Sequence, residues 1–176
     1  LTVLLADLRS SLVGETCRFV KQLAAEFGPH FSGFAEAVVE PLVVLSSGAN
    51  KPMADAAHDA IGSMISSEQH GAVLRAVIDV FKRKQTHQKV ASRCAGYVTV
   101  AVQSWSEPAL AEHFAAIRSA VSGMLSHSGN EVRAAARLAF YELWNKRHDV
   151  GVAVFDQADK QIQKSICNDF ADFKQQ

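Results

Sequence analysis

Val13, Cys17, Val20 and Ala24 follow one another at steps of four, three and four residues. That spacing lays all four on one face of an α-helix. The same steps recur at Met53, Ala57, Ala60 and Met64, at Val90, Cys94, Tyr97 and Ala101, and at Val132, Ala136, Ala139 and Leu143. Successive copies begin 40, 37 and 42 residues apart. A period near 40 is that of HEAT-type units, in which two helices make one repeat. The second slot is always cysteine or alanine, which suits a place where two helix backbones come close. One such stripe occurs in any helical protein. Four at a near-constant period, each behind a polar turn, predict an all-α solenoid whose helix pairs pack only on their neighbours. An irregular helical bundle is the competing architecture.

Punctuation refines the picture. Strand signals are weak, with no sustained alternation and no Asn-Gly hairpin. Pro29, Pro52 and Pro108 each stand where a helix should start. Ser106 and Asn130 are placed as N-caps, and Gly28 as the residue that closes a helix. Pro41 falls inside an apparent helix and should kink it or interrupt its hydrogen bonding. Helices are expected near residues 1–6, 10–27, 30–46, 52–66, 70–82, 87–105, 108–126, 130–147 and 150–172, joined by short connections: four to five pairs in one domain spanning 1–176.

Composition narrows the function classes. Apolar residues are 48% and charged residues 20% of the chain, a globular balance. Eighteen cations offset eighteen anions, which argues against indiscriminate binding to nucleic acid or an anionic membrane. No apolar run approaches the roughly 18 residues of a membrane helix. The opening LTVLLADLRS lacks the charged start and cleavage site of a secretion signal. With no initiating Met, the sequence reads as a soluble, intracellular domain of a longer protein. Cys17, Cys94 and Cys167 are odd in number and far apart, so they are expected as reduced thiols used as small apolar residues.

The neutral total hides an asymmetry. In a HEAT stack the turns inside successive pairs align along one edge. Here those turns lie at 7–10, 47–51, 82–87 and 127–130. With the helix starts that follow, they bring Arg9, Asn50, Lys51, Lys82, Arg83, Lys84, Lys89, Arg93, Asn130, Arg133 and Arg137 to one side. Residues 82–93 hold five cations and no acid. Such a ridge should steer an acidic partner and make its binding sensitive to salt. Cations at a helix N-terminus oppose the macrodipole, so generic surface explains Lys89, Arg133 and Arg137 poorly. Lys51, Lys84 and Arg133 are expected to face a partner. Arg93 and Arg137 have a second reading, as bridges between neighbouring helices.

The blocks DLRSSLVGETC (7–17), EFGPHF (26–31), FAEAVVEPL (34–42), SRCAGYVTVAVQSW (92–105) and EVRAAARLAFYEL (131–143) carry a resemblance. Over about residues 7–147 the chain resembles the TOG domains of the CLASP family, cytoplasmic linker-associated proteins that act on microtubules. The resemblance implies that the turn edge faces tubulin or the microtubule lattice. Carried over position by position, Arg9, Lys51, Lys84, Asn130 and Arg133 become candidate contacts, and Asn50, Lys82, Lys89 and Arg137 join them as neighbours on the same turn edge. It further implies a monomeric domain of the cytoplasmic cytoskeleton and spindle, which stabilises microtubules and promotes rescue, with no nucleic-acid or membrane partner. In one respect the chain departs from the family. TOG domains usually comprise six pairs, with a tryptophan in the first turn; this sequence should begin within the second pair. Trp105 and Trp144 stand toward the far ends of second helices and are expected to pack.

Enzyme readings fare worse. His58-Asp59 is similar to the dyad of metal-dependent HD phosphohydrolases, but His30, His148 and Asp149 would have to converge on it across several repeats. No nucleophile elbow or phosphate loop is present. No catalytic residue, metal or cofactor is expected. The alternative is a HEAT-repeat adaptor or regulatory domain that does not bind tubulin directly. Exposed apolar residues along a groove would favour it, whereas Phe31 and Phe34 are expected in the core. In the tail, Phe170 and Phe173 are expected to pack on the last pair.

Overall fold

The buried stripes dictate how the chain stacks. In the computed structural model, which describes residues 1–7 and 9–170, all four residues of all four stripes are buried. Eleven α-helices are described: α1 (Thr2–Leu5), α2 (Ser10–Phe27), α3 (Ser32–Ser46), α4 (Lys51–Ser66), α5 (Gly71–Lys84), α6 (Gln88–Ser104), α7 (Glu107–Leu110), α8 (Phe114–Leu125), α9 (Asn130–Lys146), α10 (His148–Gln157) and α11 (Lys160–Asp169). Short 3-10 segments, Gly28–Phe31 and Ala111–His113, lead into α3 and α8.

Two layers result. Helices α1, α3, α5, α8 and α10 pack in sequence along one side, and α2, α4, α6 and α9 along the other. Each first helix is followed by its second, giving five pairs, α1–α2, α3–α4, α5–α6, α8–α9 and α10–α11. One apolar core runs through the stack from Leu5 to Ile166. Large side chains such as Ile61, Leu74, Ile117 and Phe140 are fully enclosed in it. Each contributes about 1.5–3 kcal/mol relative to exposure. Small slots keep the second helices close: Ala57 and Ala136 are wholly inaccessible to solvent, and Cys17 and Cys94 are free and buried. Burial pushes the Cys17 thiol up to about 11 and Cys94 to about 12, so neither forms a thiolate readily.

Polar bonds recur with the period of the repeat. At the edge where second helices end, a donor from one pair reaches the terminal carbonyls of the pair before it. His70 Nε2 donates to the Ala24 oxygen (2.9 Å), Trp105 Nε1 to Ile65 (2.6 Å), and Lys146 Nζ to Gln103 and Trp105 (2.8 and 2.7 Å). At the opposite edge Arg93 Nε donates to Ser46 (3.0 Å) and His127 Nε2 to Gln85 (2.6 Å). The last carbonyls of a helix have no partner within it, and here the next repeat supplies one.

Several boundaries differ from the sequence expectation. The helix expected over 150–172 is two helices. Its break at Ala158–Asp159 creates the fifth pair, and Asp159 caps α11 by accepting from the Ile162 amide (2.8 Å). The helix expected over 108–126 begins as α7, tightens through Ala111–His113 and resumes as α8. α3 runs unbroken through Pro41, which has no N–H to offer the Ala37 carbonyl. Gly129, not Asn130, is the residue before α9, while Ser106 does cap α7. Gly28 closes α2 at φ 49°, a conformation glycine adopts without strain. Trp105 is 1% exposed, and Trp144 packs between Phe140 and Phe155. Phe170 stacks on Tyr141 (4.5 Å between centroids), whereas Phe173 lies outside the described residues. Phe34 is not core: it is 51% exposed, whereas Phe31 beneath it is buried.

Candidate functional site: the edge of intra-pair turns

The five turns inside pairs all lie on the edge where second helices begin. In the first, Arg9 precedes α2 and turns back on Asp7, whose carboxylate accepts from its backbone amide (2.8 Å), Nε (3.0 Å) and Nη2 (3.1 Å). The Arg9 side chain stays 73% exposed, so its charge can be reached by a partner although it is paired with Asp7. In the second turn Asn50 caps α4, its Oδ1 accepting from the Met53 amide at 3.4 Å. Capping explains an asparagine there without reference to a partner. Lys51 follows it, exposed, with no hydrogen bond or ion pair among the described residues.

The third turn carries the densest charge. Lys82, Arg83 and Lys84 form the last turn of α5, where cations complement the helix dipole. Lys82 lies 3.7 Å from Asp79. Arg83 and Lys84 share the Glu40 carboxylate of α3, at 2.9 and 3.1 Å. Lys82 and Arg83 are exposed, so their pairs contribute about 0–1 kcal/mol and exchange easily for a partner's carboxylate, whereas Lys84 and Glu40 are half-buried. Lys89, in the first turn of α6, is exposed and has no partner among the described residues.

At the fourth turn the guanidinium is engaged internally. Arg133 Nη1 donates to the carbonyls of His127 (2.6 Å) and Ser128 (2.7 Å), and Nη2 to Asn130 Oδ1. His127 Nδ1 accepts from the Gly129 amide, which fixes the Nε2-protonated tautomer that reaches Gln85. Arg133 and Asn130 therefore brace this turn, a role that leaves less of the arginine for a partner. Arg93 bonds the end of α3, and Arg137 pairs with Asp169 of α11, which is the bridging role open to both from sequence. The fifth turn, unforeseen in the sequence, adds an acid, Asp159. Positive charge with freedom to engage a partner is thus concentrated on the second and third turns.

Between α4 and α6 a groove of about 670 Å³ opens toward these turns, lined by His58, Gly62, Lys89, Arg93, Gly96 and Tyr97 among others. Tyr97 and His58 Nδ1 share a hydrogen bond of 2.9 Å. Burial pushes the Tyr97 phenol up to about 12, and burial with the neighbouring Arg93 charge lowers His58. Sequence reasoning missed this groove; the one signal in the stripe pattern was Tyr97, the one large polar residue in a stripe slot. His58 and Asp59 do not hold a metal constellation. Asp59 pairs with Lys21 at 3.0 Å, and among the described residues no three His, Cys, Asp or Glu side chains converge. No helix of the described residues is long and apolar enough to cross a membrane.

The same architecture is found among known proteins. The family described as CLASP N terminal matches residues 2–167. A solved structure, described by the statement that crescerin uses a TOG domain array to regulate microtubules in the primary cilium, superposes with a TM-score of 0.77. The two are 17% identical, and the alignment covers 98% of this chain and 72% of that one. At that identity the likeness shows a shared fold. The stacked pairs, the aligned turns and a family match across nearly the whole chain lead to one conclusion: this chain belongs to the CLASP N-terminal family and has a TOG-type fold built of HEAT-type pairs.

Proposed function

We propose that the domain binds tubulin, free or in the microtubule lattice, through the edge of intra-pair turns. The observation that carries this reading is the pair of unpartnered, exposed cations, Lys51 and Lys89, beside the loosely paired Lys82, Arg83 and Lys84. A rigid stack holds them in register, so little conformational freedom is lost on binding. Arg9 extends the surface at one end. Asn50, Asn130, Arg133 and Arg137 shape and brace it, and they touch the partner where their internal bonds allow. Family membership and the microtubule-regulating crescerin array support the partner. In the parent protein, further such domains on flexible linkers would add avidity. The domain acts as a monomer on the cytoplasmic cytoskeleton, where it stabilises microtubules, promotes rescue and serves spindle organisation.

The test is co-sedimentation with taxane-stabilised microtubules, beside gel filtration with free tubulin, at two salt concentrations. Wild type is compared with a Lys51→Glu, Lys89→Glu variant whose fold is checked by circular dichroism. Binding that weakens with salt, and falls about tenfold or more in the variant, is the expected result. If folded wild type binds neither form of tubulin, the adaptor reading replaces this one. Phe27 and Phe34, half exposed with ring centroids 6.5 Å apart, are the surface that favours it.

A further inference from the structure

The basic turn between α5 and α6 contains a hydroxyl that its surroundings leave unused. Thr86 is exposed, and its side chain has no hydrogen bond among the described residues. It follows Arg83-Lys84-Gln85. Of the nine arginines in the chain, only Arg83 has a serine or threonine three residues after it. Basophilic serine/threonine kinases select that arrangement, because acidic subsites in their substrate groove take cations three and two residues before the target.

We propose that Thr86 is a phosphorylation site for a basophilic kinase, and that its phosphate turns off the basic edge. This rests on the tubulin-binding reading above for its effect, though not for the modification itself. In the reaction the Thr86 oxygen attacks the γ-phosphorus of Mg-ATP. The new O–P bond forms as the bond to the β,γ-bridging oxygen breaks, ADP leaves, and the hydroxyl proton passes through the kinase's base to water.

Structure supplies the access that a sequence motif alone lacks. A kinase binds its target extended, so the last turn of α5 has to unwind. From Lys82 to Lys89 no residue is buried; the core ends at Phe81 and resumes at Val90. Besides the helical backbone bonds and the His87 amide, which donates to the Lys84 carbonyl (2.9 Å), the segment is held by ion pairs to Asp79 and Glu40, the Arg83 bond to the Asp79 carbonyl and the His127 bond to the Gln85 carbonyl. Segments with so few apolar contacts open at small cost.

The consequence follows from charge. A phosphothreonine carries close to two negative charges and sits one residue before the N-cap of α6, His87. There the helix dipole and the free amides of the first turn favour an anion. Lys82, Arg83 and Lys89 flank it. The phosphate would draw these cations to itself and cancel the part of the ridge that is free to meet an acidic partner.

The experiment uses the whole chain. Cyclic-AMP-dependent protein kinase with Mg-ATP is the probe, and the product is mapped by mass spectrometry for wild type, Thr86→Val and Arg83→Ala. Phosphate on Thr86, absent from Thr86→Val and slowed about tenfold or more in Arg83→Ala, is expected. Phosphate elsewhere, or none on the folded chain, overturns the site. Co-sedimentation of the modified and untreated proteins at one salt concentration then reads the effect, with about tenfold weaker microtubule binding expected after modification. Equal binding overturns the switch. If even the untreated protein fails to bind, the switch falls with the tubulin-binding reading, while the mapped phosphate stands by itself.

Discussion

Gly151 in α10 lies against α9 so closely that a Cβ there would stand 2.7 Å from the Trp144 Cα. Backbone cannot move aside as a flexible side chain can, so Gly151→Ala should cost about 1–3 kcal/mol. The check is the urea midpoint at constant m-value; an unchanged midpoint would mean that the two helices slide apart freely. His113 shows a second residue-level effect. Its ring lies edge-on to Trp105, its Nδ1 is buried without a hydrogen-bond partner among the described residues, and Gly71 owes its lack of a side chain to this ring. Burial lowers the His113 pKa below the ordinary 6.5; Arg75 adds to the shift and Glu112 opposes it. The unfolded chain therefore takes up a proton at a pH where the folded chain does not. The stabilisation is complete above about pH 6.5 and is lost as pH falls through the folded-state value. His58, lowered chiefly by burial, acts in the same sense. Wild type should lose denaturation midpoint between about pH 7.5 and 5.5, and His113→Gln should lose less. Identical losses would remove His113 from the account.

At the scale of elements, α11 depends on its first residues. The Asp159 carboxylate satisfies one of four orphan amides, and Asp159→Ala should cost about 1 kcal/mol. Hydrogen exchange is expected to quicken first in residues 160–169; a uniform change across the stack would count against a local cap. This element also shows where the sequence was hard to read. The four stripes were legible because each second helix buries one face at 4-3-4 spacing, and that fixed the pairing, the layers and the turn edge. The break at Ala158–Asp159 holds neither proline nor glycine. Its signal was Asp159 three residues ahead of Ile162, a pattern that also occurs on helix surfaces. His113 ends a 3-10 segment with its ring against Trp105 and against Gly71, 42 residues earlier in the chain, a contact that local spacing does not reveal. Side-chain fates at the edge were less legible still. Spacing placed Lys51, Lys84, Arg133 and Arg137 together, yet only tertiary contact tells an arginine that braces a turn from a lysine left open. Phe34 was misplaced for a related reason: its ring covers Phe31 from outside.

For the whole molecule, a stack in which neighbours meet only neighbours predicts graded stability. A chain shortened to residues 1–147 loses α10 and α11 and with them one interface of α8 and α9. It should keep its helical circular dichroism and unfold at lower denaturant. Loss of all helical signal in the shortened chain would show instead that the pairs are mutually obligatory. The shortened protein also keeps the second and third turns, so its microtubule binding at low salt should match that of the full domain within a few-fold, as read by co-sedimentation.

The carbonyl bonds that recur along both edges have a mechanical meaning. Each reaches about one repeat back along the chain, from His70 to Ala24, from Trp105 to Ile65, from Lys146 to Gln103, and on the other side from Arg93 to Ser46 and from His127 to Gln85. A load applied at the basic turns therefore passes from pair to pair through paired struts on opposite sides of the core. Between the second and third pairs, and again between the third and fourth, a bond lies at each edge, so peeling at one edge is resisted at the other. A domain laced this way behaves as a leaf spring. It yields by small deflections shared among its joints and returns to shape when the load is removed.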